Sequence, residues 1–406
     1  MRIITGTVWI LSFVSLLADI ASEMLYPVIP VYLREIGFTV FWIGLLEGVA
    51  NFTAGISKGY FGKWSDRCGE RLPFIRMGYL LSALSKPLFV LFTHPAWVSL
   101  VRSSDRLGKG IRTAARDALL SQEATPSTKA RVFAFHRGMD TAGAAIGPLV
   151  ALLFLYLYPG DYKTLFYLAF IPGILSVLLV FRLREIKRPV STLGRGNFFS
   201  FFRYWKAAPP GYRKLVPGLL FFALFNSSDF FLLLVTKDAI GERVLVLAGV
   251  TWTADTITIA AYIFYNLVYA IFSFPMGVLA DKLGYKKTIL LGLGLFAVVY
   301  AGFATGPSIT VIFTLFSVYG LYAAATEGII KAWITNLAHT SNTATAIGFY
   351  TSGVSVCTLI ASILAGAIWA GFGSGAMLLT TSVATLLVFI YFLLRIRETS
   401  PGGSAP

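Results

Sequence analysis

The chain has 406 residues, 56% of them hydrophobic and 13% charged, with a mean hydropathy of +0.74. That composition excludes a water-soluble globule, because apolar runs of about 20 residues, each long enough to span a bilayer, recur along its whole length. The formal charge of +15, from 34 basic and 19 acidic residues, therefore reports orientation in a membrane and not a nucleic-acid partner.

Taken in chain order, the hydropathy pattern predicts twelve spans, near 5–33, 39–62, 73–93, 96–120, 131–157, 163–183, 215–237, 257–280, 287–306, 308–337, 343–372 and 374–396. The first carries Asp19 and Glu23 and lacks a small-residue cleavage pattern, so it reads as a retained helix and not a signal peptide. Pro27, Pro30, Gly143 and Pro148 fall inside spans, where packed neighbours make such residues tolerable. The polar stretch 184–214 separates a six-span bundle at 1–183 from another at 215–398, and 399–406 reads as a short disordered tail. The expected fold is an all-α integral membrane protein of two pseudo-symmetric six-helix bundles.

Loop charge sets the expected topology. The central stretch holds Arg184, Lys187, Arg188, Arg195, Arg203, Lys206, Arg213 and Lys214 against Glu185, and Arg2, the loop 63–76, Lys129, Arg131, the loop 282–287, Arg395 and Arg397 lie on the same side. The opposite loops offer Arg34, Lys163, Lys237 and Arg243. Both termini and the central linker are expected in the cytoplasm. Cys68 and Cys357 lie in different halves and there are three histidines, so no disulfide framework, metal site or cofactor is expected.

The halves repeat. Gly62-Lys-Trp-Ser-Asp66-Arg67-Cys-Gly69-Glu-Arg71 returns as Gly277-Val-Leu-Ala-Asp281-Lys-Leu-Gly284-Tyr-Lys286, an offset of 215 residues that also relates Arg112 to Glu327 and Arg116 to Lys331. Internal duplication is a mark of secondary transporter folds whose site lies between the repeats. Physically, Gly62 and Gly69 let helix ends approach, and Asp66 can accept hydrogen bonds from a helix N-terminus or an arginine. Asp281 occupies the matching place.

These motifs resemble the major facilitator superfamily: the loop signature after helix 2 with its weaker second copy after helix 8, an Arg-and-Gly pattern from Arg102 to Gly110 in helix 4, and Gly143-Ala-Ala-Ile-Gly147-Pro148 in helix 5, which resembles an antiporter pattern. Ala151 and Leu152 replace its usual trailing glycines. The resemblance covers essentially the whole chain. It implies a twelve-helix carrier of the bacterial inner membrane, similar to proton-coupled efflux carriers, with helices 1, 4, 7 and 10 lining a central cavity. Gating roles follow for Gly62, Asp66, Arg67, Gly69, Arg71, Gly143, Gly147, Pro148, Gly277, Asp281 and Gly284.

Charges inside the spans mark the candidate site, since each costs about 2.5–3.5 kcal/mol near the bilayer centre and cannot face lipid in such numbers. At about 100° per residue, Arg102, Arg106, Lys109 and Arg116 share one stripe of helix 4, with Asp105 and Arg112 at its edge. Asp19 and Glu23, four apart, form a counter-surface in helix 1, and His136, Arg137 and Asp140 in helix 5 make a candidate coupling site in which His136 and Asp140 could share a proton. The second half offers Asn226, Tyr265 and Tyr322, with Glu327 and Lys331 one turn apart and able to pair with each other.

The expected binding residues are thus Arg102, Arg106, Lys109, Asn226, Tyr265, Tyr322, Glu327 and Lys331, and the expected coupling residues Asp19, Glu23, His136, Arg137 and Asp140. The reading is a monomeric, non-enzymatic secondary active transporter exchanging protons for an anionic or zwitterionic organic solute, with the lipid bilayer as its other partner. A multidrug or cationic exporter, a metal-ion carrier, and a lipid flippase or receptor are the alternatives.

Overall fold

A computed structural model of the chain describes residues 3–184, 198–226, 229–241, 245–247 and 250–396. The side chains of Lys187, Arg188, Arg195, Ser227, Arg243 and Arg397 and the tail 399–406 lie outside the described residues.

Helices begin where the sequence supplies caps. Thr5 accepts from Val8 N–H to open α1 (Gly6–Leu25), Thr39 caps α3 (Val40–Cys68), and Asp161 caps α7 (Tyr162–Phe181). Gly69 ends α3 in the left-handed region, at φ 69°, a conformation open to glycine at little cost. The first span is two pieces, α1 and α2 (Ile29–Glu35), since Pro27 interrupts the backbone ladder between them. The first span of the second half is split as well, into α9 (Pro210–Ala223) and α10 (Phe230–Ile240).

The other helices are α4 (Leu72–Phe89), α5 (Pro95–Gln122), α6 (Lys129–Leu157), the short α8 (Tyr204–Ala207), α11 (Ala254–Leu283), α12 (Tyr285–Phe303), α13 (Ile309–Leu337) and α14 (Thr343–Arg395). Gly373, at φ 86°, breaks the helical path inside α14, where the sequence divides the last two spans. A two-stranded antiparallel ladder, Leu245–Leu247 with Val250–Trp252, lies between α10 and α11 and is not legible in the hydropathy pattern.

Among the described residues, seven helical stretches are long and apolar enough to cross a membrane. Helix α5 is outside that set because it carries Arg102, Asp105, Arg106, Lys109, Arg112, Arg116 and Asp117. Leu152, Leu153, Ile271, Ile363 and Leu394 are exposed on the outer surface, where a soluble fold would place polar groups and a bilayer supplies acyl chains.

Within the first half α1 packs on α6 and α7, and α5 on α3 and α4; within the second α13 packs on α11 and α12, and α14 on α9 and α12. The halves meet along two seams, α3 against α14 and α6 against α11. The described part of the linker is an ordered strap over the first seam. Phe201 is fully buried above Gly59, Lys63 Nζ donates to Ser200 Oγ (2.9 Å), and Trp205 stacks on Phe349 of α14 with ring centres 5.8 Å apart.

Candidate functional site

Glycines bring the seams together and acids latch them. A Cβ on Gly62 would stand 2.5 Å from the Ala344 carbonyl oxygen, and one on Gly277 would stand 2.5 Å from the Ala134 Cβ, so the helix backbones approach only because these side chains are absent. Asp66, at the end of α3, accepts from Thr345 N–H (2.5 Å), Thr345 Oγ1 (2.6 Å) and Ala344 N–H (3.3 Å), the orphan donors that open α14, while Arg71 of its own half binds the same carboxylate. Asp281, at the end of α11, accepts from Ala130 N–H (3.1 Å), Arg131 N–H (3.3 Å) and Arg131 Nε (2.6 Å) at the start of α6. This is one contact made twice with the halves exchanged, as the repeated motif demands. Deeper in the first seam Ser352 Oγ donates to the Gly55 carbonyl and accepts from Gly59 N–H.

A cavity of about 300 Å³ lies between the halves. Its first wall is ionic: Asp19 of α1, Lys58 of α3, Lys109, Arg112 and Arg116 of α5, and Arg137 and Asp140 of α6. The second wall is aromatic and hydroxylic, with Phe222 and Asn226 at the end of α9, Tyr322, Thr326, Glu327 and Lys331 of α13, and Tyr350, Thr351, Ser355 and Thr358 of α14.

The charges of the two walls form a chain of contacts that one turn of α13 closes into a ring. Lys331 Nζ binds Asp117 Oδ2 (2.9 Å), and Asp117 Oδ1 accepts from Arg116 (3.1 Å). Arg116 reaches Asp140 directly at 3.9 Å and through Ser15, whose hydroxyl accepts from Arg116 (2.8 Å) and donates to Asp140 (2.6 Å). Asp140 binds Arg137 (2.5 Å), and Arg137 reaches Glu327 (3.5 Å), which returns to α13 one turn from Lys331. Two of these contacts, Lys331–Asp117 and Arg137–Glu327, cross between the halves. Arg137 adds a third crossing by donating Nε to Tyr269 Oη (2.8 Å).

Of the expected site residues, Lys109, Asn226, Tyr322, Glu327, Lys331, Asp19, Arg137 and Asp140 line the cavity, and Asn226 donates to Tyr322 Oη (3.1 Å). Other expected residues stand elsewhere. Arg102 is held by Glu47 of α3 (2.6 and 2.9 Å) and by Asp105 (3.4 Å), and Arg106 faces the same Glu47 at 3.8 Å. Asp105 is completed by Lys86 (2.7 Å), Ser82 and Ser85. The helix 4 stripe is therefore not one continuous wet wall: seven residues separate Arg102 from Lys109, about 10 Å of axial rise, and a shared azimuth says nothing of depth.

Tyr265 packs among Tyr262, Tyr269 and Tyr319. Glu23 is half-buried and does not line the cavity, so the expected Asp19–Glu23 counter-surface reduces to Asp19.

His136 Nδ1 meets Ser12 Oγ at 3.4 Å, whereas both oxygens of Asp140 are taken by Ser15, Arg116 and Arg137, so the expected sharing of a proton between His136 and Asp140 is replaced by separate partners. Glu327 and Lys331 do not pair with each other, because each meets a counter-charge across the cavity, the buried Asp117 for Lys331 and the half-buried Arg137 for Glu327. Gly143 and Gly147 pack α6 on Leu16, Ile20 and Met24 of α1, inside one half and away from the seams, and the neighbouring Pro148 lies within α6 beside that contact. Arg67 is half-buried beside the latch, and Gly284, at φ 98°, is the hinge from α11 into α12.

Lys58, Arg112, Tyr350 and Ser355 are lining residues that the sequence reading did not assign to the site. For Arg112 a signal existed, since Lys109, Arg112, Thr113 and Arg116 fall at i, i+3, i+4 and i+7 on one face.

The family model described as Major Facilitator Superfamily matches residues 11–254 and 219–406. An MFS-type transporter of Methanocaldococcus jannaschii is 32% identical over 373 residues, covering 91% of this chain and 89% of that protein. The multi-drug resistance efflux pump PmrA of Streptococcus pneumoniae is 28% identical over 139 residues, 33% of this chain and 34% of the pump. Among solved structures, the transporter FucP in its outward conformation superposes with a TM-score of 0.75 at 14% identity, covering 98% of this chain and all of that one (100%). A duplicated helical bundle, paired acid latches and a charged cavity between the repeats thus meet a full-length family match, and the chain belongs to the Major Facilitator Superfamily of membrane transporters.

Proposed function

We propose that this transporter is a monomeric proton-coupled antiporter that exports a small anionic or zwitterionic organic solute by alternating access, with its termini and linker in the cytoplasm. The observation that carries the reading is the ring of charges joining the halves around the cavity, with cations in excess of acids on its walls. A relative that is a multidrug efflux pump supports the direction.

Coupling follows from the ring. Asp140 is the anion between Arg116 and Arg137, and Asp19 of α1 lines the same cavity. A proton arriving from outside onto this pair cancels the charge that holds the two arginines, loosens the crossing contacts and favours opening on the latch side. Loss of the proton there restores the ring. An anion entering from that side takes over cavity cations and helps to close the halves again, so proton and cargo drive opposite strokes.

A second reading has its own observation. Asp229 accepts from Tyr319 (2.7 Å) beside the Tyr262–Tyr265 cluster, a carboxylate and ring faces that would suit a cationic solute. The deciding experiment reconstitutes the protein in liposomes and imposes an inward proton gradient while anionic and cationic fluorescent solutes are followed. Antiport predicts gradient-driven export of the anion that collapses with a protonophore and in Asp140→Asn. Cation export that survives Asp140→Asn and fails in Asp229→Asn would establish the second reading instead.

A further inference from the structure

Among the described residues, two of the cavity's cations have no hydrogen-bond or ion-pair partner for their ammonium groups. Lys331 and Arg116 share Asp117, Arg137 is divided between Asp140 and Glu327, and Arg112 lies over the ring of Tyr79 (4.3 Å) with Nη1 reaching the Gly78 carbonyl (3.4 Å). The ammonium groups of Lys58 and Lys109 make no hydrogen bond or ion pair among the described residues, and both side chains face the cavity, one from α3 and one from α5. Lys58, Lys109 and Lys331 line the same cavity, so three ammonium groups face one region. A lysine held at membrane depth beside like charges is costly and gives nothing back to the fold unless an anion joins it.

The charge count says how much anion. Six cations line the cavity (Lys58, Lys109, Arg112, Arg116, Arg137, Lys331), and the carboxylates on or directly behind its walls are Asp19, Asp117, Asp140 and Glu327. With all four acids ionised the site carries an excess of two positive charges. A monoanion leaves one of them bare, and a neutral or cationic solute leaves both.

We infer that Lys58 and Lys109 form the anion seat of this transporter and that it takes a doubly charged oxyanion head group of the phosphate-monoester type. Lysine suits this better than arginine would: each ammonium is a compact point charge with three rotatable donors, able to follow a tetrahedral head group that presents oxygens in several directions, whereas a guanidinium fork favours a planar carboxylate. Tyr322, Tyr350 and Phe222 face the seat from the opposite wall and offer ring surface to the organic body. The inference rests on the carrier reading for its physiological meaning, yet binding can be tested without transport.

The test is thermal unfolding of the full-length protein in detergent at pH 7.5 with four probes that share one ring: phenyl phosphate, benzenesulfonate, benzyl alcohol and benzyltrimethylammonium. The expected result is a rise in Tm that is largest for phenyl phosphate, smaller for benzenesulfonate, and absent for the neutral and cationic probes. Lys58→Gln and Lys109→Gln should each weaken phenyl phosphate binding on the order of 10- to 100-fold, the loss of one charge-assisted contact, and Lys58→Arg should recover part of it. Ligand-free, the two Gln variants should unfold at the wild-type temperature or above, because each removes a half-buried, cavity-facing charge that lacks an ion-pair partner. A merely structural lysine would give the opposite shift.

The inference is overturned if phenyl phosphate does not stabilise the wild type more than its neutral or cationic analogues do, or if the Gln variants bind it unchanged. Failure of the carrier reading looks different: dianion-selective binding in detergent with no gradient-driven flux in liposomes removes the transport cycle and leaves the seat. Flux of the phosphate that persists in both Gln variants moves the seat elsewhere and leaves the carrier.

Discussion

Asp66→Asn isolates what the first latch contributes to alternation. In the closed latch the carboxylate takes three hydrogen bonds from across the seam, at 2.5, 2.6 and 3.3 Å, and one from Arg71 of its own half. The Arg71 contact is internal to one half, survives when the seam opens, and therefore cancels from the equilibrium between the two conformations. Only the cross-seam bonds count. A bond to a charged acceptor contributes about 1.5–3 kcal/mol against about 1 for a neutral one, so replacing charge by amide at the two short bonds should cost the closed state roughly 2 kcal/mol, about 30-fold in population.

Asp281→Asn should act the same way at the second seam, and because the sites are distant and share no partner, the double variant should combine to about a thousandfold. The assay is a spin-label distance across the first seam, from the exposed Cys68 to a Thr340→Cys label on a Cys357→Ser background. The double variant should gain a long-distance population that the parent lacks. If it stays folded and keeps the parent's distance distribution, the latches do not hold the seam and the argument fails.

Gly62→Ala and Gly143→Ala should part company although each new Cβ meets a carbonyl oxygen at 2.5 Å: the first wedges the seam and lengthens the same spin-label distance, the second overpacks α6 on α1 and lowers Tm, by about 1–3 kcal/mol of stability, with no change in distance. Phe201→Ala empties the space under the strap and should cost about 3–5 kcal/mol in thermal unfolding, and an unchanged Tm would mean the strap is not packed as described. Lys331→Met leaves Asp117 with Arg116 alone, so Tm should fall by the equivalent of about 3–5 kcal/mol, and Lys331→Met with Asp117→Asn should recover much of it. No recovery in the double variant would show that Lys331 acts through some other contact.

Sequence alone determined that this chain lives in a membrane, where its helices run and that it is built twice. Each follows from a local or additive property: apolar length, the division of the last two spans at Gly373, and the 215-residue offset between Asp66 and Asp281; the break at Pro27, read as tolerable inside one span, appeared only in the fold. The latch partner was legible in kind, since an acid after a glycine-lined helix end has few suitable donors besides a helix N-terminus. What only the tertiary structure decided is which charge meets which.

Arg102, Arg106 and Lys109 share a helix face, but Glu47 arrives from α3 at the depth of the first two and not of the third. Glu327 and Lys331 are spaced to pair with each other, yet each meets a counter-charge on the other half, and for Lys331 that partner is the desolvated Asp117. Periodicity reports the direction in which a side chain points; the depth at which facing helices cross, set by packing between the halves, decides whether it finds a partner or, like Lys58 and Lys109, is left facing the cavity without one.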